Sequence, residues 1–346
     1  MKSIKLALFV AALIIATRVH AVNYYWTGGT GNWSDLNNWA TSSGGSTKHS
    51  QVPTPDDDVF FDANSFGAAG QSMTINVSNA VCRDFIWGNV KFKPRFAITD
   101  PSYALRIYGS LQLNSNMLFD YKGYFVFEST KKSNTIKTAN FNIQKMEFKG
   151  IGGEWTLQDS LKLYGDINNY ALWLNAGHLI SNDQTIVVKS VHSYGTNVRT
   201  LSLGNSQVHL KDNEGVWRVD NINFYLNPGT SKIHIWYQGW RKNFHHTAYQ
   251  PKSRFHDIIF HDKFSNPTIG DYLTVNDSTC INNLIFETYV NGMEISGAIV
   301  KRIVFNERVD YVNFNNAKIG SVLFKDDARC LGSANIDSIL LTPGKN

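Results

Sequence analysis

Ile281-Asn-Asn-Leu-Ile-Phe286, Val300-Lys-Arg-Ile-Val-Phe305, Ile319-Gly-Ser-Val-Leu-Phe324 and Ile336-Asp-Ser-Ile-Leu-Leu341 repeat one hexad, apolar at its first, fourth and sixth places. The last residues of the four are nineteen, nineteen and seventeen positions apart. That period is too short for a packed helix pair and fits one turn of a solenoid. Most apolar positions hold β-branched or aromatic residues, and runs between the hexads, such as Tyr311-Val-Asn-Phe-Asn-Asn-Ala317, alternate apolar with polar as strands do. One coil of short strands cannot close a core. Coils stacked at the ~4.8 Å strand spacing give each backbone group a partner above and below and align apolar side chains in internal columns.

A leucine-rich repeat also places its first apolar residues at this spacing, but it needs Asn or Cys eight positions after the first. Those positions hold Tyr289, Arg308 and Asp327. A β-sandwich of similar strands would not keep so regular a period. The sequence predicts an all-β protein, a right-handed parallel β-helix (β-solenoid), with the handedness taken from the preference of parallel crossovers. Phe286, Phe305 and Phe324 are expected in one inward stack. The same grammar recurs earlier, at Cys82-Arg-Asp-Phe-Ile-Trp87, Ile143-Gln-Lys-Met-Glu-Phe148 and Phe255-His-Asp-Ile-Ile-Phe260. Between these lie strand runs such as Thr185-Ile-Val-Val-Lys189 and Lys232-Ile-His-Ile-Trp236.

At the N-terminus, Lys2 and Lys5 precede the apolar run Leu6 to Ala16, and Val19-His-Ala21 offers small residues for a signal peptidase. Residues 1–21 read as a signal peptide cleaved after Ala21, 22–69 as a Trp-rich cap and 70–346 as the solenoid. No stretch approaches the ~20 apolar residues of a membrane-spanning helix. The chain is expected outside the cytoplasm, secreted or on the cell surface. Removing Lys2, Lys5 and Arg18 lowers the formal net charge from +5 to +2. The remaining cations are scattered, which removes the case for nucleic acid. Three cysteines, at 82, 280 and 330, are too few for a disulfide scaffold. Cys280 and Cys330 fall two to three coils apart, about 10 to 14 Å, beyond the bridging limit. Buried free thiols are expected, with no metal site and no cofactor.

Trp26, Trp33 and Trp39, set among glycines, cannot be laid out as a regular element. They suit a hydrophobic lid over the first coil, whose end would otherwise expose strand edges and core. The alternative is a sugar-stacking platform, with Asp56-Asp57-Asp58 as oxygen ligands for Ca²⁺, although this triplet lacks the alternating spacing of a calcium loop.

The pattern Tyr25-Trp-Thr-Gly-Gly-Thr-Gly-Asn-Trp-Ser34, then Asn37-Asn-Trp39, Pro53 and Asp57-Asp-Val-Phe-Phe-Asp62, resembles the opening of large secreted surface proteins of Bacteroidota. These are adhesin-like, of the type IX-secreted, gliding or adhesion kind. More loosely the chain looks like autotransporter-type β-helix passengers. The resemblance continues through Leu105-Arg-Ile-Tyr-Gly-Ser-Leu-Gln-Leu113, Phe148 to Leu157, Leu172 to Asn182 and Arg199 to Val208, and so covers most of the mature chain. It implies export, a surface location and repetitive β architecture, and it brings no catalytic residues. Such relatives commonly run on through further modules, so the chain is read either as a fragment or as a short member.

Among candidate sites, His245-His246, His256-Asp257 and His261-Asp262 have the residue types of a metal or acid/base centre, but the spacing sets them at opposite ends and faces of strands. Asp326-Asp327 is the one carboxylate pair after a hexad, and it lacks the partners of a polysaccharide hydrolase. A carbohydrate-active enzyme and a structural spacer are therefore the lesser readings. The leading one is a non-catalytic binder of a polysaccharide or a surface protein. Its contact surface is expected in Trp236-Tyr237-Gln-Gly-Trp240-Arg241-Lys242-Asn-Phe244, where Gly239 would turn a loop and leave rings beside two cations. The competing expectation sends Trp236 to the core.

Overall fold

The computed structural model describes residues 21–165, 171–214, 217–220, 222–241, 243–247, 253–261, 271–275, 279–332 and 334–344. They form short strands stacked in parallel, and the described helix is one 3₁₀ turn at Leu36–Asn38. Side one is a ten-stranded sheet running from Trp39–Ala40 to Phe224–Asn227. Side two begins as four strands ending at Leu118–Asp120 and resumes as ten strands from Asn142–Ile143 to Asn335–Leu341. Phe119 and Phe141 stack across that break at 5.0 Å. Side three holds twelve strands, from Asn79–Cys82 to Ala328–Leu331. The only antiparallel ladder among the described residues pairs Asn23–Trp26 with Trp39–Ala40.

The chain winds through sides one, two and three in turn, and each coil hydrogen-bonds to the next in register. On side one Val59, Phe85, Leu111, Ile136 and Leu157 follow one another at spacings of 26, 26, 25 and 21 residues. Among the described residues side one ends at Asn227, and the later coils use two sides only. The last spacings on side two, between Leu284, Ile303, Val322 and Ile339, are 19, 19 and 17 residues.

The hexad is the sequence mark of a bend. Its first, fourth and sixth residues all point inward: Ile281, Leu284 and Phe286 are buried, as are Ile143, Met146 and Phe148. Two inward residues three apart require a kink between them, because a straight strand puts only every second residue on one face. In Cys82 to Trp87 the bend joins side three to side one, in Ile143 to Phe148 it joins side two to side three, and from Phe255 onward it lies within a single side-two strand. Phe260, Phe286, Phe305 and Phe324 stack at centroid distances of 5.0, 4.7 and 5.1 Å, as expected. Each ring buries roughly 1.5–3 kcal/mol of apolar surface, and each offset stack adds about 0.5–1.5. At the far end Ile339 and Leu341 continue the same columns but are 56% and 55% exposed.

The Trp-rich segment packs as a lid on the first coil. Trp26, Trp33 and Trp39 are buried, with Trp26 and Trp33 set edge-on to Trp39 at 4.9 and 5.0 Å. Trp26 Nε1 donates to Gly29 O at 2.8 Å and Trp39 Nε1 to Trp33 O at 2.7 Å, so these two indoles are satisfied. Gly28 and Gly29 both have positive φ, which explains the paired glycines in this turn. The sugar-platform reading of these three rings is thereby corrected. Asp57 accepts from Val22 N, Thr54 N and Thr54 Oγ1, and Asp58 pairs with Arg83, so both carboxylates are engaged in closing the lid. Cys82 is buried as expected; Cys280 is half-buried and Cys330 exposed, both corrections, the latter because its strand is the outermost of side three.

Where side one ends, Arg199 is fully buried. Its Nε donates to Ser193 Oγ at 2.7 Å, its Nη1 to the carbonyls of Gly195, Asn197 and Ile222, and its Nη2 to Asp220 O at 2.9 Å. The guanidinium thus clasps two successive coils. Nearby, inward His246 accepts from Trp217 Nε1 at 3.2 Å and meets Phe255 edge-on at 5.1 Å. Burial holds its pKa down at about 3, with His245 adding to the shift.

Candidate functional site

On side two, Val208 and Leu210, Ile233 and Ile235, and Ile258 and Phe260 fill the core, so the alternate residues face out. The parallel register aligns Gln207 with Lys232 and Asp257, His209 with His234 and Ile259, and Lys211 with Trp236. One outer face therefore carries polar and aromatic side chains in columns one strand spacing apart.

The imidazoles of His209 and His234 stack at 4.7 Å, and those of His234 and His261 lie at 5.0 Å. Trp236 lies flat on His261 at 4.0 Å with 4° between the planes, and its Nε1 donates to His209 Nδ1 at 3.1 Å. Its ring is 38% exposed, and the Lys211 ammonium sits 5.9 Å from it. His234 approaches Gln207 Oε1 through Nε2 at 2.9 Å and His261 Nε2 through Nδ1 at 2.8 Å. His261 Nδ1 is 2.7 Å from Glu287 Oε2. Burial, then His209, His261 and Lys232, depress the His234 pKa to about 4 against the opposing pull of Asp257. Burial, Lys211 and His261 lower that of His209. Both imidazoles are accordingly neutral at pH 7.

Trp236 faces outward in this array rather than into the core. Tyr237, Trp240 and Arg241 do not sit in a loop: they extend the strand Lys232–Arg241, which pairs with Gln207–Glu214 through a bulge between Asp212 and Glu214. Their side chains, and the whole of Lys242, lie outside the described residues. Phe244 is a correction. It is buried on side three, stacked on Trp217 at 5.4 Å and edge-on to Phe255 at 5.3 Å, so it is a core residue.

The histidine pairs disperse, as their spacing implied. His245 Nε2 meets Asp220 on side three at 2.9 Å, His246 enters the core, and His256 lies beside Asp257 at 3.0 Å. Only His261 joins the array, with partners one coil away. Sequence reading missed Gln207, His209, Lys211 and His234. The usable signal was the alignment of Gln207-Val-His-Leu-Lys211 with Lys232-Ile-His-Ile-Trp236 at a spacing of 25.

Elsewhere, a mostly apolar cleft of about 350 Å³ beside the lid is lined by Trp33, Val52, Pro53, Pro55, Val77 and Val81, among others. The Asp326 carboxylate is turned back onto the backbone N–H of Asp327. Among the described residues no three His, Cys, Asp or Glu side chains are grouped to hold a metal ion, and no helix is long and apolar enough to cross a membrane. The fold defines the class as a parallel β-solenoid. No family profile, curated protein or solved structure matches this chain.

Proposed function

We propose that this chain is an exported, non-catalytic, adhesin-like protein that binds an acidic polysaccharide on the outer face of side two. The carrying observation is Trp236: a large, partly exposed ring held rigid by His261 and flanked by the cation of Lys211. A ring so fixed loses little freedom on stacking with a sugar, and a neighbouring ammonium pairs with a uronate or sulfate group. Val188 pairs with Leu210, and the residues that follow them on the two coils, Lys189 and Lys211, are both basic. The leader read at residues 1–21 supports export.

A glycan array of the mature chain, followed by titration with polygalacturonate and alginate, tests this. Trp236→Ala is expected to weaken binding of the best acidic glycan roughly tenfold or more, about 1.4 kcal/mol, at an unchanged melting temperature. Lys211→Ala is expected to weaken it and to flatten its salt dependence. Unaltered binding by both variants would refute the assignment of the surface, and release of reducing ends from a bound glycan would make the protein an enzyme.

A further inference from the structure

The contact between His234 and His261 needs an explanation of its own. A carboxylate only accepts hydrogen bonds, so beside Glu287 the His261 Nδ1 carries the hydrogen and Nε2 keeps its lone pair. The amide oxygen of Gln207 likewise only accepts, so His234 Nε2 carries the hydrogen and Nδ1 keeps its lone pair. Two lone pairs then face each other across 2.8 Å. Neutral imidazoles in these tautomers repel, and a cation between them turns the contact attractive.

We propose that His234 and His261 form a two-imidazole site for a divalent transition-metal ion such as Zn²⁺, Ni²⁺ or Cu²⁺, completed by water. This is independent of the glycan reading. Three features favour it. The carboxylate of Glu287 on the far nitrogen of His261 is the arrangement that orients metal-bound imidazoles and raises their basicity. Stacking against Trp236 fixes the plane of His261. Burial and neighbouring positive charge work against a proton as the bridging cation, since they hold the pKa of His234 low. A tetrahedral ion about 2.0–2.1 Å from each nitrogen requires them to be about 3.3 Å apart, so the rings need to part by only about 0.5 Å. His209 contributes no Nδ1, because that atom already accepts from Trp236.

The rival arrangement is a proton chain. With the Gln207 amide turned over, its NH₂ donates to His234 Nε2, His234 Nδ1–H donates to His261 Nε2, and His261 donates to Glu287, leaving no lone pair for a metal. Calorimetric titration of the tag-free, chelator-treated mature chain with ZnCl₂ decides between them. The expected result is one ion per chain, released again by a chelator. His234→Ala and His261→Ala should each weaken it by at least tenfold, Glu287→Gln by about tenfold, and His256→Ala should leave it unchanged. Cu²⁺ should also quench Trp236 fluorescence, seen as the difference from Trp236→Phe. Absence of binding, or binding that survives either histidine substitution in chains of unchanged melting temperature, establishes the proton chain and overturns the proposal.

Discussion

Replacing Arg199 with Met tests whether one side chain joins the last two three-sided coils. The substitution keeps the apolar stem and removes a guanidinium that donates to four carbonyls and one hydroxyl. Each orphaned carbonyl costs about 1–3 kcal/mol if it stays dry. Gly195, Asn197 and Ile222 lie in exposed turns, so water can reach part of the set. A net loss of about 3 kcal/mol, confined to this junction, is therefore expected. Because coils stack as semi-independent units, a global melting curve would blur the effect, and hydrogen exchange read by mass spectrometry is the better assay. Peptides covering 193–203 and 217–227 should exchange about a hundredfold faster in Arg199→Met, while those covering 300–325 should not change. Arg199→Lys should fall close to Met, since a single ammonium cannot fork to both coils. Exchange within about threefold of wild type at 193–203 would show that the guanidinium does not hold the junction.

Position in the stack should grade the cost of losing an inward ring. Phe305→Ala, between two stacked neighbours, is expected to cost about 3–5 kcal/mol, and Leu341→Ala, more than half exposed, roughly 1 kcal/mol or less; equal losses in urea unfolding would contradict the column picture. For His246, the folded-state pKa of about 3 lies below the ordinary value of 6.5, so between these pH values the unfolded chain takes up a proton that the folded chain refuses. Stability should thus fall as pH drops from 6.5 towards 3, by up to about 1.4 kcal/mol per pH unit for this group. His246→Gln, which retains an acceptor for Trp217, should flatten that slope, and an unchanged slope would remove His246 from the acid response.

The hexads made the solenoid legible because Phe286, Phe305 and Phe324 each repeat a local geometry and so leave a local pattern. The change from three sides to two was not legible, because side-one strands such as Leu111–Gln112 are as short as two residues and their place is set by pairing with other coils. Arg199 could have been placed: it shares parity with Leu201 and Leu203, both buried, within an alternating run. Its charge argued for the surface, and only the carbonyls gathered around it reverse that. Trp236 to Phe244 misled for a similar reason. Aromatics beside cations looked like a loop, yet Gly239 lies inside a strand and Phe244 belongs to the next side's core. The histidine array spans three coils, so no single window of sequence contains it.

The end of side one at Asn227 also has a mechanical meaning. Tension applied along the solenoid axis pulls on ladder hydrogen bonds end to end, because the strands lie across that axis and their bonds along it. The two ladders between the coils of Leu284 and Ile303 pair six and four residues, and the three ladders between those of Leu157 and Leu179 pair three, three and two, so a coil that loses a side does not lose ladder bonds. Each short coil would release 17 to 19 residues, about 60 Å of extended chain, where a wider one releases 21 to 26. Two cross-sections in one stack thus set two step lengths under tension, not two strengths.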